Sequence, residues 1–223
     1  MDYDYSGSTR EHYKNDTVAR EYHEAFAGST EKSLLRFRLV AAWERSAVTK
    51  LLKRSPVERV LDLPAGTGKL APVFAELGSK VMACDVSPEM LGYAREEYRR
   101  EGCHEPQFRV CDAASLPEDF RDAFDVAVCL RLLHRVPADV RSTILCELAK
   151  VAPVVVVSFG VETPFHRFRR RVRAVLMGGG DESLCYENLE TIQREVGAVF
   201  RIESTTWVQR FLSQELVMRL ERK

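Results

Sequence analysis

The chain has 223 residues, of which 45% are hydrophobic and 30% are charged. This composition excludes a disordered chain, and the length suits one α/β domain. The 33 basic side chains are balanced by 33 acidic ones, so the net charge gives no sign of a dedicated nucleic-acid binder. No hydrophobic run approaches the ~18 residues that span a bilayer, and the polar N-terminus does not resemble a signal peptide. We therefore expect a cytoplasmic protein.

The six cysteines form no C-x-x-C pair, which disfavours a zinc knuckle or a thioredoxin-type motif. Several of them end hydrophobic stretches, where cysteine behaves as a small apolar residue. We expect reduced thiols. Residues 1–30 are polar and are predicted to form an N-terminal lid segment. Residues 31–223 are predicted to form a single domain, with a cap insertion at about residues 161–185.

After a first helix predicted over Glu31–Arg54, the chain alternates between short buried strands and amphipathic helices. The predicted strands are Arg59–Leu63, Lys80–Cys84, Gln107–Cys111, Phe124–Leu130 and Pro153–Phe159. The predicted helices are Lys69–Leu77, Pro88–Arg100 with Ser87 as its N-cap, and Ala138–Ala152. Such alternation is typical of a parallel sheet covered on both faces.

The C-terminal third has a different pattern. An arginine-rich segment is followed by three glycines, a predicted helix over Tyr186–Val196, and two predicted strands over Phe200–Gln209 and Glu215–Leu220. The two strands are close enough in sequence to form an antiparallel hairpin. The predicted fold is a doubly wound α/β domain. Its seven-stranded sheet is mostly parallel, with an antiparallel C-terminal hairpin.

A glycine-containing turn, D-L-P-A-G-T-G at residues 62–68, follows the first strand, where an open α/β sheet binds its ligand. A P-loop is disfavoured because Leu63 and Leu70 replace its first Gly and its Ser/Thr. A dinucleotide fingerprint is met by Gly66, Gly68 and Ala71, but the Asp62 carboxylate would repel a pyrophosphate. The same carboxylate suits a cofactor that carries an ammonium group. A tight turn without a ligand is the remaining alternative.

Four motifs stand in order at the ends of the predicted strands. They are D-x-x-x-G-x-G at residues 62–68, C-D-V-S-P-E-M-L at 84–91, V-C-D-A-A-S-L-P at 110–117 and L-R-L-L-H-R-V at 130–136. Over about residues 15–160 this series resembles the class I S-adenosylmethionine-dependent methyltransferases. It is most similar to the small-molecule branch that includes the ubiquinone and menaquinone methyltransferases. The resemblance implies a Rossmann-like fold, S-adenosylmethionine as cofactor and no metal.

The resemblance also implies contacts with the cofactor. The methionine part would lie on Gly66 and Gly68, with Asp62 near its amino group. The ribose hydroxyls would be bound by Asp85. The remaining implied contacts are Val86 and Met90 around the adenine, Asp112 and the Ala113 N–H at its edge, the Leu130 carbonyl near the methionine part, Ala65 in the loop, and Tyr22 as a lid residue. The loop departs from the family at Pro64, which stands where the first glycine is usual.

The acceptor side is less specific. His134 is a candidate general base, although a structural histidine is the alternative. Arg131 would bind an acidic acceptor or face solvent. The arginine-rich segment would bind an anionic acceptor, a phosphate or a membrane headgroup, or form a solvated cap helix; its candidate residues are His166, Arg167, Arg170 and Arg171.

The predicted activity is methyl transfer to a small-molecule or lipid-like acceptor. Nucleic acid is a minor alternative, since the total charge is zero. An NAD-linked oxidoreductase is one rival hypothesis, against which Asp62 argues. A non-catalytic module that binds S-adenosylmethionine is another.

Overall fold

The computed structural model describes residues 31–165, 167, 185–209 and 213–223, with only the helical backbone over 31–38. Its sheet has seven strands in the order β3-β2-β1-β4-β5-β7-β6. The strands are β1 Arg59–Asp62, β2 Lys80–Asp85, β3 Gln107–Val110, β4 Val126–Cys129, β5 Val154–Gly160, β6 Phe200–Trp207 and β7 Glu215–Arg222. Strands β1 to β5 are parallel, and β7 is antiparallel to both β5 and β6. The predicted fold class is confirmed.

Five helices surround the sheet within the described ranges. They are α1 Glu31–Leu52, α2 Ala71–Leu77, α3 Pro88–Arg100, α4 Ala138–Val151 and α5 Leu189–Gly197. Their predicted C-terminal ends are within two residues of those observed, and two predicted starts differ by two or three residues. The turn continues through Leu70, so α2 begins later than Lys69. Helix α5 begins after Asn188 rather than at Tyr186, because the Asn188 side chain accepts the Thr191 N–H at 2.8 Å and caps the helix.

The sheet is buried on both faces because successive residues of its central strands pack into two different hydrophobic clusters. Val155 and Val157 pack in the cluster covered by α4 and α5. Val156, between them, packs in the cluster covered by α1, α2 and α3. This explains why the central strands are continuous hydrophobic runs rather than alternating ones. None of the described helices is long and apolar enough to cross a membrane.

The strand order reverses between β1 and β4, which lie side by side although β2 and β3 separate them in the chain. In open α/β sheets the ligand crevice lies at such a switch point, beyond the carboxyl ends of the strands. The loops that follow β1, β2 and β4 therefore meet there. These loops carry three of the four motifs, and the fourth follows β3.

Candidate cofactor and acceptor site

An open pocket of about 980 Å³ lies at this switch point. Its wall includes nine residues that the sequence predicted for the site: Asp62, Pro64, Ala65, Gly66, Asp85, Val86, Met90, Leu130 and Arg131. The wall also includes residues that the sequence did not single out, of which Glu44, Arg45, Lys69 and Arg135 are charged.

The loop after β1 is fixed to the two neighbouring strands. The Leu63 N–H donates to the Val128 carbonyl at 2.9 Å, and the Ala65 N–H donates to the Cys84 carbonyl at 2.7 Å. The Leu63–Pro64 peptide bond is cis. The two hydrogen bonds hold the loop at the mouth of the pocket.

The two glycines of the loop have different surroundings. Gly66 has a φ of +54° and lines the pocket, and a Cβ added to it would meet no atom within 4 Å. A Cβ on Gly68, whose φ is +82°, would lie 3.2 Å from the Ala94 backbone and 3.0 Å from the Glu97 Cβ in α3. Gly68 does not line the pocket in the described part of the chain. The structure thus supplies a packing reason for Gly68, and its predicted contact with the methionine part stays a prediction.

The Asp85 side chain connects the loop after β1 to the loop after β2. One carboxylate oxygen accepts the Gly66 N–H at 2.8 Å, and the other accepts the Ser87 N–H at 3.0 Å. Burial raises the pKa of Asp85, while N–H donors from Ser87, Gly66 and Val86 oppose that rise. A carboxylate has about four acceptor positions, so this one can still accept hydroxyl groups. Its place on the wall fits the predicted ribose contact.

Asp62 ends β1 and is 2% exposed. Its carboxylate accepts the hydroxyl of Tyr98, a buried residue of α3, at 2.6 Å. Burial raises the pKa of Asp62 to about 7, which the Tyr98 hydrogen bond opposes and the charge of Asp85 reinforces. A nearby ammonium group would favour the ionised carboxylate. Sequence reasoning missed Tyr98, although it lies one helical turn from Ala94 on the buried face of α3.

The predicted adenine contacts separate into two groups. Val86 and Met90 line the pocket, and the Ser87 hydroxyl accepts the Met90 N–H at 3.2 Å, which confirms Ser87 as the N-cap of α3. Asp112 and Ala113 are not among the lining residues of the described chain. The Asp112 carboxylate instead accepts the Ala114 N–H at 3.0 Å within its own turn. Their contacts with adenine stay predictions.

Arg131 lines the pocket just beyond the end of β4. Its φ is +60°, and its N–H donates to the Ser158 hydroxyl of β5 at 2.8 Å. Its guanidinium lies 3.7 Å from the carboxylate of Glu44, in α1. Of the two alternatives for Arg131, this position suits contact with an acceptor, and its role in binding one stays a prediction.

His134 is 8% exposed and does not line the pocket among the described residues. Its ring stacks on Tyr186 with the centroids 6.2 Å apart, and a Cβ on Gly160 would lie 2.4 Å from that tyrosine ring. Burial lowers the pKa of His134 to about 3, and the charges of Arg135 and Arg131 add to this shift. Its Nδ1 has no hydrogen-bond partner among the described residues. A buried imidazole with so low a pKa is a poor general base near neutral pH.

Of the remaining predicted site residues, Arg167 lies within the described part of the chain and the others do not. Arg167 is exposed, and its N–H donates to the Thr163 carbonyl at 2.9 Å. The predicted lid residue Tyr22 and the predicted substrate residues His166, Arg170 and Arg171 lie outside the described residues, as does most of the cap insertion. Their roles stay predictions.

Comparisons with known proteins agree with this geometry. Residues 60–153 match the family model described as a methyltransferase domain. The chain is 41% identical over 95 residues to the demethylmenaquinone methyltransferase of Thermus thermophilus, covering 41% of each protein. It is 34% identical over 82 residues to a ubiquinone biosynthesis O-methyltransferase of Xanthomonas campestris, covering 37% of this chain and 34% of that relative. The matched stretch therefore spans less than half the length of these curated relatives.

Solved structures show similarity over a larger part of the chain. The magnesium protoporphyrin IX methyltransferase of Synechocystis PCC 6803, with bound S-adenosylhomocysteine, matches with a TM-score of 0.79 and 21% identity, covering 96% of this chain and 98% of that one. Human N-acetylserotonin methyltransferase in complex with S-adenosylmethionine matches with a TM-score of 0.67 and 16% identity, covering 99% of this chain and 60% of that one. At these identities the likeness concerns the fold.

Proposed function

We propose that this chain is a class I S-adenosylmethionine-dependent methyltransferase that methylates a small anionic molecule, which its fold and the methyltransferase domain matched at residues 60–153 support. The observation that carries the proposal is the pocket at the switch point. It brings Gly66, Asp85, Val86 and Met90 to one wall, in the order in which the family's motifs occur along the chain.

The residues at the cofactor end suit S-adenosylmethionine better than a dinucleotide. Asp62 and Asp85 are both buried there, and the charge of each acts on the other. Two carboxylates favour a ligand with an ammonium and a sulfonium group and disfavour a pyrophosphate. When bound, S-adenosylmethionine supplies an activated methyl group. Asp62 would hold its amino group, Asp85 its ribose, and Val86 with Met90 its adenine.

The cations of the pocket wall support an anionic acceptor. Arg45, Lys69, Arg131 and Arg135 line the pocket, and we propose that they lie toward the acceptor. Arginine presents a planar set of donors that matches carboxylate and phosphate. The names of the relatives make quinone-type and porphyrin-type molecules the first acceptors to test, and a lipid-like acceptor is part of the same proposal.

The residues of this chain would contribute mainly orientation. Holding two reactants in line can supply about 7–11 kcal/mol of a barrier. A general base is required only when the acceptor atom still carries a proton, so a carboxylate acceptor needs none. The low pKa of His134 suits such a reaction, in which the histidine has a structural role. The cytoplasmic location and the preference for small molecules over nucleic acid stay predictions.

Calorimetry with S-adenosylhomocysteine, S-adenosylmethionine and NAD tests the cofactor. We expect the first two to bind and NAD not to bind. Methyl transfer is then measured with a radiolabelled methyl group and a panel of quinone, porphyrin and aromatic acceptors, each in a carboxylated and an uncarboxylated form. Binding of NAD alone would contradict the proposed function, while transfer only to uncharged acceptors would contradict the anionic acceptor.

A further inference from the structure

A second acidic residue lies close to Arg131. Glu215, the first residue of β7, pairs with Gly160 at the end of β5 and is 8% exposed. One of its carboxyl oxygens is buried and has no hydrogen-bond partner among the described residues. The Ser158 hydroxyl is bonded to the Glu215 side chain, and the same hydroxyl oxygen accepts the Arg131 N–H. Glu215 is therefore connected to the backbone of the residue that faces the acceptor.

Two carboxyl groups thus act on one guanidinium. Glu44 approaches Arg131 from α1 at 3.7 Å, with its side chain 7% exposed. The charges that act on Glu215 are those of Glu44 from α1, Arg131 after β4, and Lys69 from the turn before α2. Glu44, Arg131 and Lys69 line the pocket, whereas Glu215 does not line it in the described part of the chain.

The protonation state of Glu215 decides the local charge. With Glu215 ionised, the negative charges of Glu44 and Glu215 both act near Arg131 and weaken the attraction of the pocket cations for an incoming anion. With Glu215 neutral, one of these negative charges is removed and the attraction is stronger. Arg45 and Arg135 also line the pocket and contribute positive charge in both states. In a partly buried site this difference is much larger than it would be in water.

We propose that Glu215 is a positioning residue whose carboxyl group, placed beside Arg131 and Glu44, is neutral when an anionic acceptor binds and thereby strengthens the attraction of the acceptor to this side of the pocket. This inference rests on the proposed function and names the device behind its specificity. It also explains the presence of Glu44, because the Glu44 carboxylate holds the guanidinium at the pocket wall and favours the neutral form of Glu215.

The pKa of Glu215 determines how the affinity for an anion changes with pH. Burial raises the pKa of Glu215 to about 7, and the charge of Glu44 adds to this rise, while Arg131, the Ser158 hydroxyl and Lys69 oppose it. An anion bound at Arg131 would raise it further, so proton binding and anion binding support each other. The affinity for an anion should therefore fall as the pH rises through this range.

The probe is benzoate, a carboxylate that stays ionised throughout the pH range used. Its binding to the chain saturated with S-adenosylhomocysteine is measured by NMR at about pH 6 and about pH 8.5, at constant ionic strength. We expect a dissociation constant about three- to tenfold larger at the higher pH. Glu215→Gln keeps the neutral form and should bind benzoate equally at both pH values, with unchanged affinity for S-adenosylhomocysteine.

Glu221→Gln is the matched control, because Glu221 lies in the same strand and its side chain is 43% exposed beside Arg201. It should retain the pH dependence of the wild type. Glu44→Gln provides a second arm if Glu215→Gln does not fold. It should move the midpoint of the pH dependence to lower pH, because Glu215 then ionises more easily.

Two results would overturn the inference. One is benzoate that does not bind at about 100 mM at the lower pH, which would remove the anion site. The other is a pH dependence that persists in Glu215→Gln or fails to move in Glu44→Gln, which would assign it to another group. Because S-adenosylhomocysteine binding is measured separately, either result can be told apart from failure of the proposed function.

Discussion

At the scale of single residues, the candidate site and its immediate surroundings combine predictable and unpredictable side chains. Asp62 and Asp85 end β1 and β2, and Gly66 lies in the loop after β1, so their motifs alone predicted that they meet at one edge of the sheet. Tyr98, Glu44 and Glu215 come from α3, α1 and β7, and no local signal marks them. Their roles depend on which helix face packs on which strand end, which only the tertiary structure determines.

Asp85→Ala tests the cofactor end. The substitution removes the acceptor of the Gly66 and Ser87 N–H groups and the expected acceptor of the ribose hydroxyls. We expect binding of S-adenosylhomocysteine to weaken by about 1.5–3 kcal/mol in calorimetry, as for lost hydrogen bonds to a charged group. Asp119→Ala is the control and should leave this affinity unchanged, since its exposed carboxylate pairs with Arg109 and was not predicted to contact the cofactor. Equal affinities of Asp85→Ala and the wild type would refute the role of Asp85.

His134→Ala tests whether His134 is a general base or a structural residue. Since burial holds the pKa of His134 near 3 and its ring packs on Tyr186, we expect kcat to fall less than tenfold and the thermal stability to drop. A base would instead lose about 10²- to 10⁴-fold in kcat without a change in cofactor affinity. Steady-state kinetics and thermal unfolding of the same variant decide between the two.

At the scale of elements, buried ion pairs connect the loops of the site to the body of the domain. Arg141 of α4 is 1% exposed and bonds the Glu195 carboxylate of α5 at 2.6 Å and 2.8 Å. It also donates to the backbone carbonyls of Leu133 and Val136, on either side of His134. The loop after β4 is therefore attached to two helices. The boundaries of α4 were close to predictable, whereas this contact between α4 and α5 was not.

The two loop glycines permit a matched test of packing against binding. Gly68→Ala places a Cβ 3.0–3.2 Å from three atoms of α3, so we expect a loss of about 1–3 kcal/mol in urea unfolding. Gly66→Ala meets no atom within 4 Å and should cost about 1–2 kcal/mol from its left-handed φ alone. Because only Gly66 lines the described pocket, its variant should lose more affinity for S-adenosylhomocysteine per unit of stability lost. The reverse ranking in calorimetry would place Gly68 at the cofactor.

At the scale of the whole molecule, the charged residues of the pocket come from distant parts of the chain. The chain has a net charge of zero, yet its pocket is lined by four cations and by three buried acidic residues, Glu44, Asp62 and Asp85. Composition could not predict this concentration of charge, because it depends on which segments the fold brings together. The fold could be predicted because strand and helix patterns are local. The charge distribution could not, because it follows from packing.

The buried carboxyl group of Asp62 makes the stability of the folded chain depend on pH, and Asp62→Asn tests this dependence. The ordinary pKa of Asp62 is 3.8, and burial raises it to about 7 in the folded chain. The folded state thus binds a proton that the unfolded state releases, so this group's contribution to stability is present below pH 3.8 and is lost as the pH rises towards 7. An asparagine imitates the protonated carboxyl and can still accept the Tyr98 hydroxyl. The substitution therefore removes the loss of stability at higher pH.

We therefore expect Asp62→Asn to unfold at higher urea than the wild type at about pH 8, and the advantage to shrink by about 1–3 kcal/mol when both are measured at about pH 5. The difference between the two proteins isolates Asp62 from His134, whose lowered pKa acts in the opposite direction as the pH falls below its ordinary value of 6.5. S-adenosylhomocysteine should reverse the ranking, because its ammonium group favours the ionised Asp62 and stabilises only the state that binds it. A variant that gains stability and retains full cofactor affinity would show that Asp62 does not face the amino group.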